Sequence, residues 1–189
     1  VETSRRLIEG GTSVLIVDDF SQNASAIRVL DLCELLGAQV VRKRENLGIG
    51  DSLNVGLRIA IERSDEFLLT LDQDTVLPAG YVSACIQFIR RATTSGVNVG
   101  LVTAERLNGR LRTPRSQVGR SGFYSAVDPM QSGSLLRVSL AQDVGGFRAD
   151  FVMDCIDVDF CLKLRAVGAK ILWVEGVNIS HELGRISEA

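Results

Sequence analysis

Two carboxylates one residue apart follow an uncharged apolar run in the middle of the chain. Asp72 and Asp74 come directly after residues 67–71, a run that predicts a strand buried on both faces. Open α/β sheets bind their ligands at the carboxyl ends of such strands, and an extended backbone directs both carboxylates to the same side. Hard oxygen ligands there predict a Mg²⁺ or Mn²⁺ site, a usual partner of a diphosphate. The alternative is an acidic turn closed by Pro78.

Acidic residues recur at two other places where an element begins or ends. Asp18 and Asp19 follow a predicted buried strand at residues 13–17, and His181, the only histidine, follows the last predicted strand. A turn that opens a helix would also explain Asp18 and Asp19. The second group of acids, at the start of a predicted helix, comprises Asp154, Asp157 and Asp159. Capping acids would explain two members of this group.

Hydrophobic periodicity predicts alternating strands and helices, which favours an α/β fold with parallel strands joined by right-handed crossovers. The predicted helices cover residues 2–9, 23–36, 51–63, 78–91, 139–144 and 154–167. The predicted strands cover residues 13–17, 39–43, 67–71, 97–103, 132–137, 170–174 and 177–180.

Composition indicates a single domain without a nucleic-acid footprint. The chain has 189 residues, 46% of them apolar, and a formal net charge of −2. No apolar run reaches the roughly 20 residues that cross a bilayer, and no signal peptide is recognisable. The four cysteines form no CxxC pair, which favours reduced thiols over a zinc site and predicts a cytoplasmic setting. Because the chain opens on Val1 without a Met, we expect it to be a piece of a longer protein.

The segment 105–125 shows no sustained helical or strand period. We predict a flexible loop that contacts an anionic acceptor, such as a diphosphate-linked lipid or a phosphorylated glycan, because guanidinium groups are forked donors suited to phosphate. A solvated loop without a ligand is the alternative. The arginines of the segment are Arg106, Arg110, Arg112, Arg115 and Arg120.

The spacing of these motifs resembles the family 2 glycosyltransferases of the GT-A fold, and within them the bacterial rhamnosyltransferases, whose metal motif often reads DQD. The matching segments follow in the family's order over nearly the whole chain. They are VDDFS at 17–21, ENLGIGDSLNVG at 45–56, LTLDQDT at 69–75, SGSLLRVSLAQDVGGF at 132–147, DCIDVDFCLKLRAVG at 154–168 and SHELG at 180–184.

The resemblance implies a Rossmann-like three-layer sandwich with a mixed, mostly parallel sheet. It also implies a single GT-A domain with a nucleotide-binding half at residues 1–104 and an acceptor and catalytic half at 126–189. Asp157 matches the general base. The other implied site residues are Asp18, Asp19, Asn46, Gly48, Asn54 and Asp72 for the nucleotide; Asp72, Asp74 and His181 for Mn²⁺ or Mg²⁺; and Asp154, Ser132 and Gly133 for the acceptor.

The implied reaction is an inverting, metal-dependent transfer of one sugar. The expected partners are a nucleotide diphosphate sugar, with dTDP-rhamnose favoured, and a glycan or lipid-linked acceptor. Peripheral association with the inner face of a membrane and a homodimer are left open. The QxxRW signature of processive synthases is absent, which favours transfer of a single sugar, and Ile156 stands where the family usually has an acid. The family's first strand is also missing, so we expect an unpaired edge beside the strand that carries Asp18, or a neighbouring chain on it.

Two other functions fit part of the sequence. LTLDQDTV also matches the DxDx[TV] nucleophile motif of haloacid dehalogenase phosphatases and phosphomutases, in which Asp72 would accept the phosphoryl group. That motif normally sits on the first strand of its domain, whereas two strands are predicted before it here. The third hypothesis is a fragment that binds a sugar nucleotide without catalysing transfer.

Overall fold

The computed structural model describes residues 1–113, 115–127, 129–151 and 155–181. Within these ranges the helices are Glu2–Glu9 (α1), Ala24–Leu35 (α2), Ile49–Glu62 (α3), Tyr81–Thr94 (α4), Val138–Asp143 (α5) and Ile156–Ala166 (α6). The strands are Leu15–Asp18 (β1), Gln39–Arg42 (β2), Phe67–Thr70 (β3), Thr75–Val76 (β4), Val99–Leu107 (β5), Arg110–Leu111 (β6), Arg115–Gln117 (β7), Tyr124–Ala126 (β8), Ser134–Arg137 (β9) and Lys170–His181 (β10). Among the described residues, no helix is long and apolar enough to span a bilayer.

The strands form a parallel pair, β1 with β2, and a mixed sheet of eight strands ordered β3-β9-β5-β10-β8-β7, with β4 beside β10 and β6 beside β5. β9 runs antiparallel to both β3 and β5, while β5 and β10 are parallel. The three strands β3, β5 and β10 therefore share one direction, although β3 and β5 are separated by β9. The sheet is mixed, as predicted, but its described strand pairs are mostly antiparallel and not mostly parallel, because β9 and the short strands run opposite to their neighbours. The short strands β4, β6, β7 and β8 all pair antiparallel with their neighbours. Whether another segment or chain covers the second edge of β1 stays a prediction.

Helices cover both faces of the large sheet, which confirms the predicted three layers. Along β10, Trp173 belongs to the same buried cluster as Phe160 of α6, whereas Leu172 belongs to a second cluster with Phe88 of α4. This alternation is the period of two expected of a strand buried on both faces. The central strands are thereby fixed from both sides, and their carboxyl ends form a rigid edge for a site.

Two predictions about secondary structure are wrong. The segment 105–125, predicted as a loop, contains the end of β5, the strands β6 and β7 and the start of β8. These strands have two or three residues each, and their side chains are mostly exposed, so no apolar alternation marks them. The two final strands are one strand, β10, which is interrupted by a register shift between Val174 and Asn178 where Gly176 has φ +73°.

A glycine turn between α5 and α6 fixes the position of α6. Both polar atoms of the Asn54 carboxamide on α3 hydrogen bond to the Phe147 backbone, each at 2.9 Å. Lys163 of α6 donates to the carbonyl of Gly146 at 3.2 Å, and the ring of Phe147 stacks on Phe160 with centroids 4.2 Å apart. The turn therefore joins α3 to α6, whose first turn carries Asp157.

We expect Gly146→Ala to lower the free energy of unfolding by about 1–3 kcal/mol, measured by urea denaturation. Gly146 has φ +69°, and an added Cβ would lie 2.6 Å from Asn54 Oδ1. Gly145→Ala is the control, because Gly145 has φ +78° but no atom within 4 Å of an added Cβ. Equal losses of stability in the two variants would mean that the close contact with Asn54 does not restrict this turn.

Candidate functional site

The turn after β3 places two carboxylates at the end of the central sheet. The amide of Thr75 donates to the carbonyl of Asp72 at 3.2 Å, which closes the turn between β3 and β4. The Asp72 amide in turn donates to Ser132 Oγ at 2.8 Å. The backbone of the DQD sequence is thus held at both ends, and the carboxylates of Asp72 and Asp74 project from a fixed loop.

Pairing of β4 with the end of β10 adds a histidine to these carboxylates. His181 lies opposite Thr75 in an antiparallel register, and its Nδ1 is 3.2 Å from Asp74 Oδ1. The same Nδ1 is 2.7 Å from the Thr75 hydroxyl. Within the described ranges, Asp72, Asp74 and His181 each offer one ligand atom, and these atoms lie within 4.8 Å of one another.

The donor set fits a divalent cation. Asp74 Oδ1 is buried, and despite its distance from His181 Nδ1 it makes no hydrogen bond. A buried carboxylate oxygen without a partner is costly, and a cation would supply the missing partner. Burial raises the pKa of Asp72, and repulsion from Asp74 raises it further, while His181 opposes the shift. Two carboxylates with an imidazole suit Mn²⁺ or Mg²⁺, and the imidazole favours Mn²⁺.

Ser132 and Gly133, two of the predicted acceptor residues, are buried beneath the carboxylates. Ser132 is 1% exposed, and besides accepting from Asp72 its hydroxyl is 2.6 Å from that of Thr75. Gly133 accepts hydrogen bonds through its carbonyl from the hydroxyls of Tyr81 and Thr103. Both residues therefore support the DQD turn, and their contact with an acceptor stays a prediction. The third predicted acceptor contact, Asp154, lies outside the described residues.

Asn108, which sequence reasoning missed, fixes the backbone of His181. Its Nδ2 donates to the His181 carbonyl at 2.8 Å, and its Oδ1 accepts from the His181 amide at 3.0 Å. Asn108 has φ +50° in the turn between β5 and β6, a conformation that asparagine tolerates better than most residues. The only sequence signal was the Asn-Gly pair at 108 and 109, which is typical of a tight hairpin turn.

We expect Asn108→Ala to weaken Mn²⁺ binding about tenfold, as loss of an outer-shell partner typically does. The last residues of β10 would lose the two hydrogen bonds that hold His181 beside Asp74. Electron paramagnetic resonance of free Mn²⁺ measures the affinity directly. Asn178→Ala is the control, since Asn178 accepts from the amide of Gly109 in the same turn, at 2.7 Å, without contacting His181. An equal loss in the control would assign the effect to the turn as a whole.

The predicted nucleotide residues form a second group around the loop before α3. Asp19 accepts hydrogen bonds from the amides of Leu47, at 3.0 Å, and Gly48, at 2.8 Å. Lys43, which sequence reasoning missed, lies 2.5 Å from Asp19. Burial alone would raise the pKa of Asp19, but the hydrogen bonds and the charge of Lys43 hold it below its usual value. The charged Asp19 carboxylate therefore holds this loop in its conformation.

The other predicted nucleotide residues do not all lie at the loop before α3. Asp18 accepts from the amide of Ser21 at 3.2 Å, which forms a local turn at the end of β1. Asn46 accepts from the amide of Gly48 at 3.1 Å and lies in the same loop as the Asp19 contacts. The carboxamide of Asn54 hydrogen bonds to the Phe147 backbone away from this loop, and its contact with the nucleotide stays a prediction.

Asp157 lies in the first turn of α6 and lines a small pocket with Thr70, Gln131 and Phe160. Its Oδ1 accepts from the amide of Val158 at 2.9 Å. Gln131 of the same pocket donates to Asp72 Oδ1, and the charge of Asp157 adds to the burial that raises the pKa of Asp72. A carboxylate so placed can accept a proton from a hydroxyl that enters the cleft.

Two neighbours of Asp157 complete this part of the site. Gln131, which sequence reasoning missed, lines the same pocket and donates through Nε2 to Asp72 Oδ1 at 2.6 Å. Asp159 lies 2.9 Å from Lys163, the residue that also holds the glycine turn. Asp159 thus contributes to the structure of α6, and Asp157 is the acid of this turn that faces the pocket.

The family of the chain follows from a comparison of its sequence with known protein families. Residues 3–145, more than half of the chain, match the family Glycosyl transferase family 2. The chain belongs to this family. Membership in family 2 confirms the resemblance seen in the motifs and leaves the haloacid dehalogenase alternative without support.

Individual relatives of this family 2 chain are distant and longer. The dTDP-rhamnosyl transferase RfbF of Shigella flexneri is 21% identical over 149 residues, covering 74% of this chain and 50% of RfbF. S. aureus TarS matches with a TM-score of 0.67 at 15% identity, covering 96% of this chain and 34% of TarS. GalNAc-T7, crystallised with UDP, GalNAc and Mn²⁺, matches with a TM-score of 0.64 at 13% identity, covering 89% and 37%. These likenesses confirm the GT-A fold, and the chain spans half or less of the length of each relative.

Proposed function

We propose that this family 2 domain transfers a single sugar, with rhamnose favoured, from a nucleotide diphosphate sugar to a glycan or lipid-linked acceptor. The observation that carries the proposal is the cluster of Asp72, Asp74 and His181, in which a buried carboxylate oxygen makes no hydrogen bond. Gln131 connects this cluster to the pocket that Asp157 lines. The family supports glycosyl transfer, and the name of the Shigella relative supports dTDP-rhamnose as donor.

Different residues of the chain would bind different parts of the donor. Asp74 and His181 would hold the metal, and Asp72 would hold the donor ribose or water on the metal. A bound Mn²⁺ or Mg²⁺ supplies positive charge against the leaving diphosphate. Asp18 and the loop shaped by Asp19 would bind the nucleotide base at the other end of the donor.

Asp157 would act as the general base. In an inverting transfer the acceptor oxygen attacks the sugar carbon from the face opposite the diphosphate, so one carboxylate on that face suffices. Asp157 would take the proton of the acceptor hydroxyl as the new glycosidic bond forms and the bond to the diphosphate breaks. No covalent enzyme intermediate is needed, and the half-buried carboxylate of Asp72 would remain with the donor.

A binding panel tests the donor assignment. Melting temperatures are measured with dTDP-rhamnose, dTDP-glucose and UDP-N-acetylglucosamine, each with Mn²⁺ and with excess EDTA. Because ligands that bind the native state stabilise it, we expect the largest rise with dTDP-rhamnose and Mn²⁺. The absence of any Mn²⁺-dependent rise with all three donors would refute the proposal, whereas a larger rise with the UDP-sugar would refute the dTDP assignment alone.

A second function, binding without catalysis, is kept because the chain covers half of its curated relative. Release of dTDP from dTDP-rhamnose, measured with a panel of glycan and lipid-linked acceptors, separates the two. An active transferase releases dTDP faster when its acceptor is present. Binding without release, with every acceptor, would leave the non-catalytic function as the correct one.

A further inference from the structure

Arg112 differs from the other arginines of its segment, because its side chain turns into the protein. Among the four arginines of segment 105–125 whose side chains the structure describes, Arg106, Arg110 and Arg120 are exposed and Arg112 is half-buried. The Arg112 amide donates to the carbonyl of Glu105 at 2.9 Å, which folds the chain back beside β5 after the β5–β6 hairpin. Its position is therefore set by the sheet.

The guanidinium of Arg112 lies over the ring of Trp173, with Cζ 4.8 Å from the ring centroid. Trp173 is 2% exposed and belongs to the core cluster that contains Phe160. An arginine stacked on a fixed aromatic ring keeps its planar fork in one orientation. The stack therefore orients the fork before any ligand arrives.

One nitrogen of this fork has no acceptor. Arg112 Nη1 is buried and makes no hydrogen bond with any described residue. Burial holds the pKa of Arg112 below its usual value, which Tyr81 and Asp157 only partly counteract. A buried guanidinium nitrogen without an acceptor is costly, and an anionic ligand would supply the missing partner.

The location of Arg112 indicates which of the two substrates, donor or acceptor, it would contact. Trp173, on which Arg112 stacks, packs in one core cluster with Ile156 and Phe160 of α6, the helix whose first turn carries Asp157. The charge of Asp157 also acts on Arg112. Under the proposed function, the donor diphosphate lies at the metal site and the acceptor hydroxyl lies at Asp157. An anion bound by Arg112 would accordingly be on the acceptor side of the cleft.

We propose that Arg112 binds an anionic group of the acceptor, a phosphate or a carboxylate, and so selects charged acceptors over neutral ones. The inference rests on the proposed function, because it places the acceptor at Asp157. It narrows the predicted role of the arginine segment to one residue. The exposed arginines of the segment are not needed for it.

The test uses inorganic phosphate as the probe for the acceptor anion and dTDP with Mg²⁺ as the probe for the donor. Isothermal titration of phosphate is carried out with and without saturating dTDP and Mg²⁺, on the wild type, Arg112→Gln, Arg112→Lys and the exposed control Arg120→Gln. Loss of charge-assisted hydrogen bonds should weaken phosphate binding by about 10- to 100-fold in Arg112→Gln. Arg112→Lys should bind with intermediate affinity, because it keeps the charge and loses the fork. The control and the dTDP affinity of every variant should stay within about twofold of the wild type.

Three results would overturn the proposal. Equal phosphate binding by wild type and Arg112→Gln would show that Arg112 binds no anion. An equal loss of dTDP affinity in Arg112→Gln would assign the anion to the donor diphosphate. A melting temperature lowered by several degrees in both Arg112→Gln and Arg112→Lys would assign Arg112 a structural role. Failure of the wild type to bind dTDP would refute the proposed function, while the phosphate titrations without dTDP would still report on Arg112.

Discussion

Asp74→Ala is expected to abolish metal-dependent binding of dTDP. Asp74 and His181 come from different parts of the chain and place ligand atoms 3.2 Å apart. Loss of an outer-shell partner lowers metal affinity by about 10- to 100-fold. Removal of a direct ligand should lower the Mn²⁺ affinity by more than that. Isothermal titration of dTDP with Mn²⁺, and again with EDTA, measures the effect. His181→Ala should reduce the affinity as well, and both losses should exceed that of Asn108→Ala.

Folding can be separated from binding in this experiment. Asp74→Asn removes the charge that raises the pKa of Asp72 and replaces a buried oxygen that has no hydrogen bond. Its melting temperature without metal should therefore equal or exceed that of the wild type, although its Mn²⁺ affinity falls. Asp65→Ala, an exposed acid after α3, is the matched control and should change neither quantity. Unchanged Mn²⁺-dependent dTDP affinity in Asp74→Ala would show that the metal does not bind here.

Local chemistry allowed several elements to be predicted from the sequence. A helix is predicted to begin at Asn23, and Asn23 caps α2, with its Oδ1 accepting from the Ala26 amide at 2.7 Å. The carboxylates of Asp72 and Asp74 follow β3 because an apolar run predicts a strand and its end is a turn. In both cases the signal lies within a few residues of the feature that it predicts.

Contacts between distant segments could not be predicted in the same way. His181 reaches Asp74 through pairing of β10 with β4, a strand of only two residues, which is too short to show a period. The burial of Ser132 and Gly133 depends on β9 lying between β3 and β5. The half-buried position of the Arg112 side chain depends on the stack with Trp173, 61 positions further along the chain. Each of these features follows from the order of strands in the sheet, which the local sequence pattern does not determine.

Asp157→Asn is expected to reduce the rate of transfer by about 10² to 10⁴, the range that a positioned general base contributes. The amide has nearly the shape of the carboxylate and can still accept from the Val158 amide through its oxygen, as Asp157 Oδ1 does at 2.9 Å. It cannot accept the proton of the acceptor. Release of dTDP from dTDP-rhamnose, measured with the best acceptor of the panel, gives the rate.

The donor should bind the Asp157→Asn variant as well as it binds the wild type, because the metal cluster is untouched and the carboxylate that repels Asp72 is gone. The loss should therefore appear in kcat, with the dTDP affinity within about twofold. Asp159→Asn is the matched control from the same helical turn, since Asp159 is paired with Lys163 at 2.9 Å and should tolerate the change with little loss of rate. If Asp157→Asn keeps full activity while Asp159→Asn loses it, the base is Asp159, and the charge of Asp157 serves only to place Asp72 and Arg112.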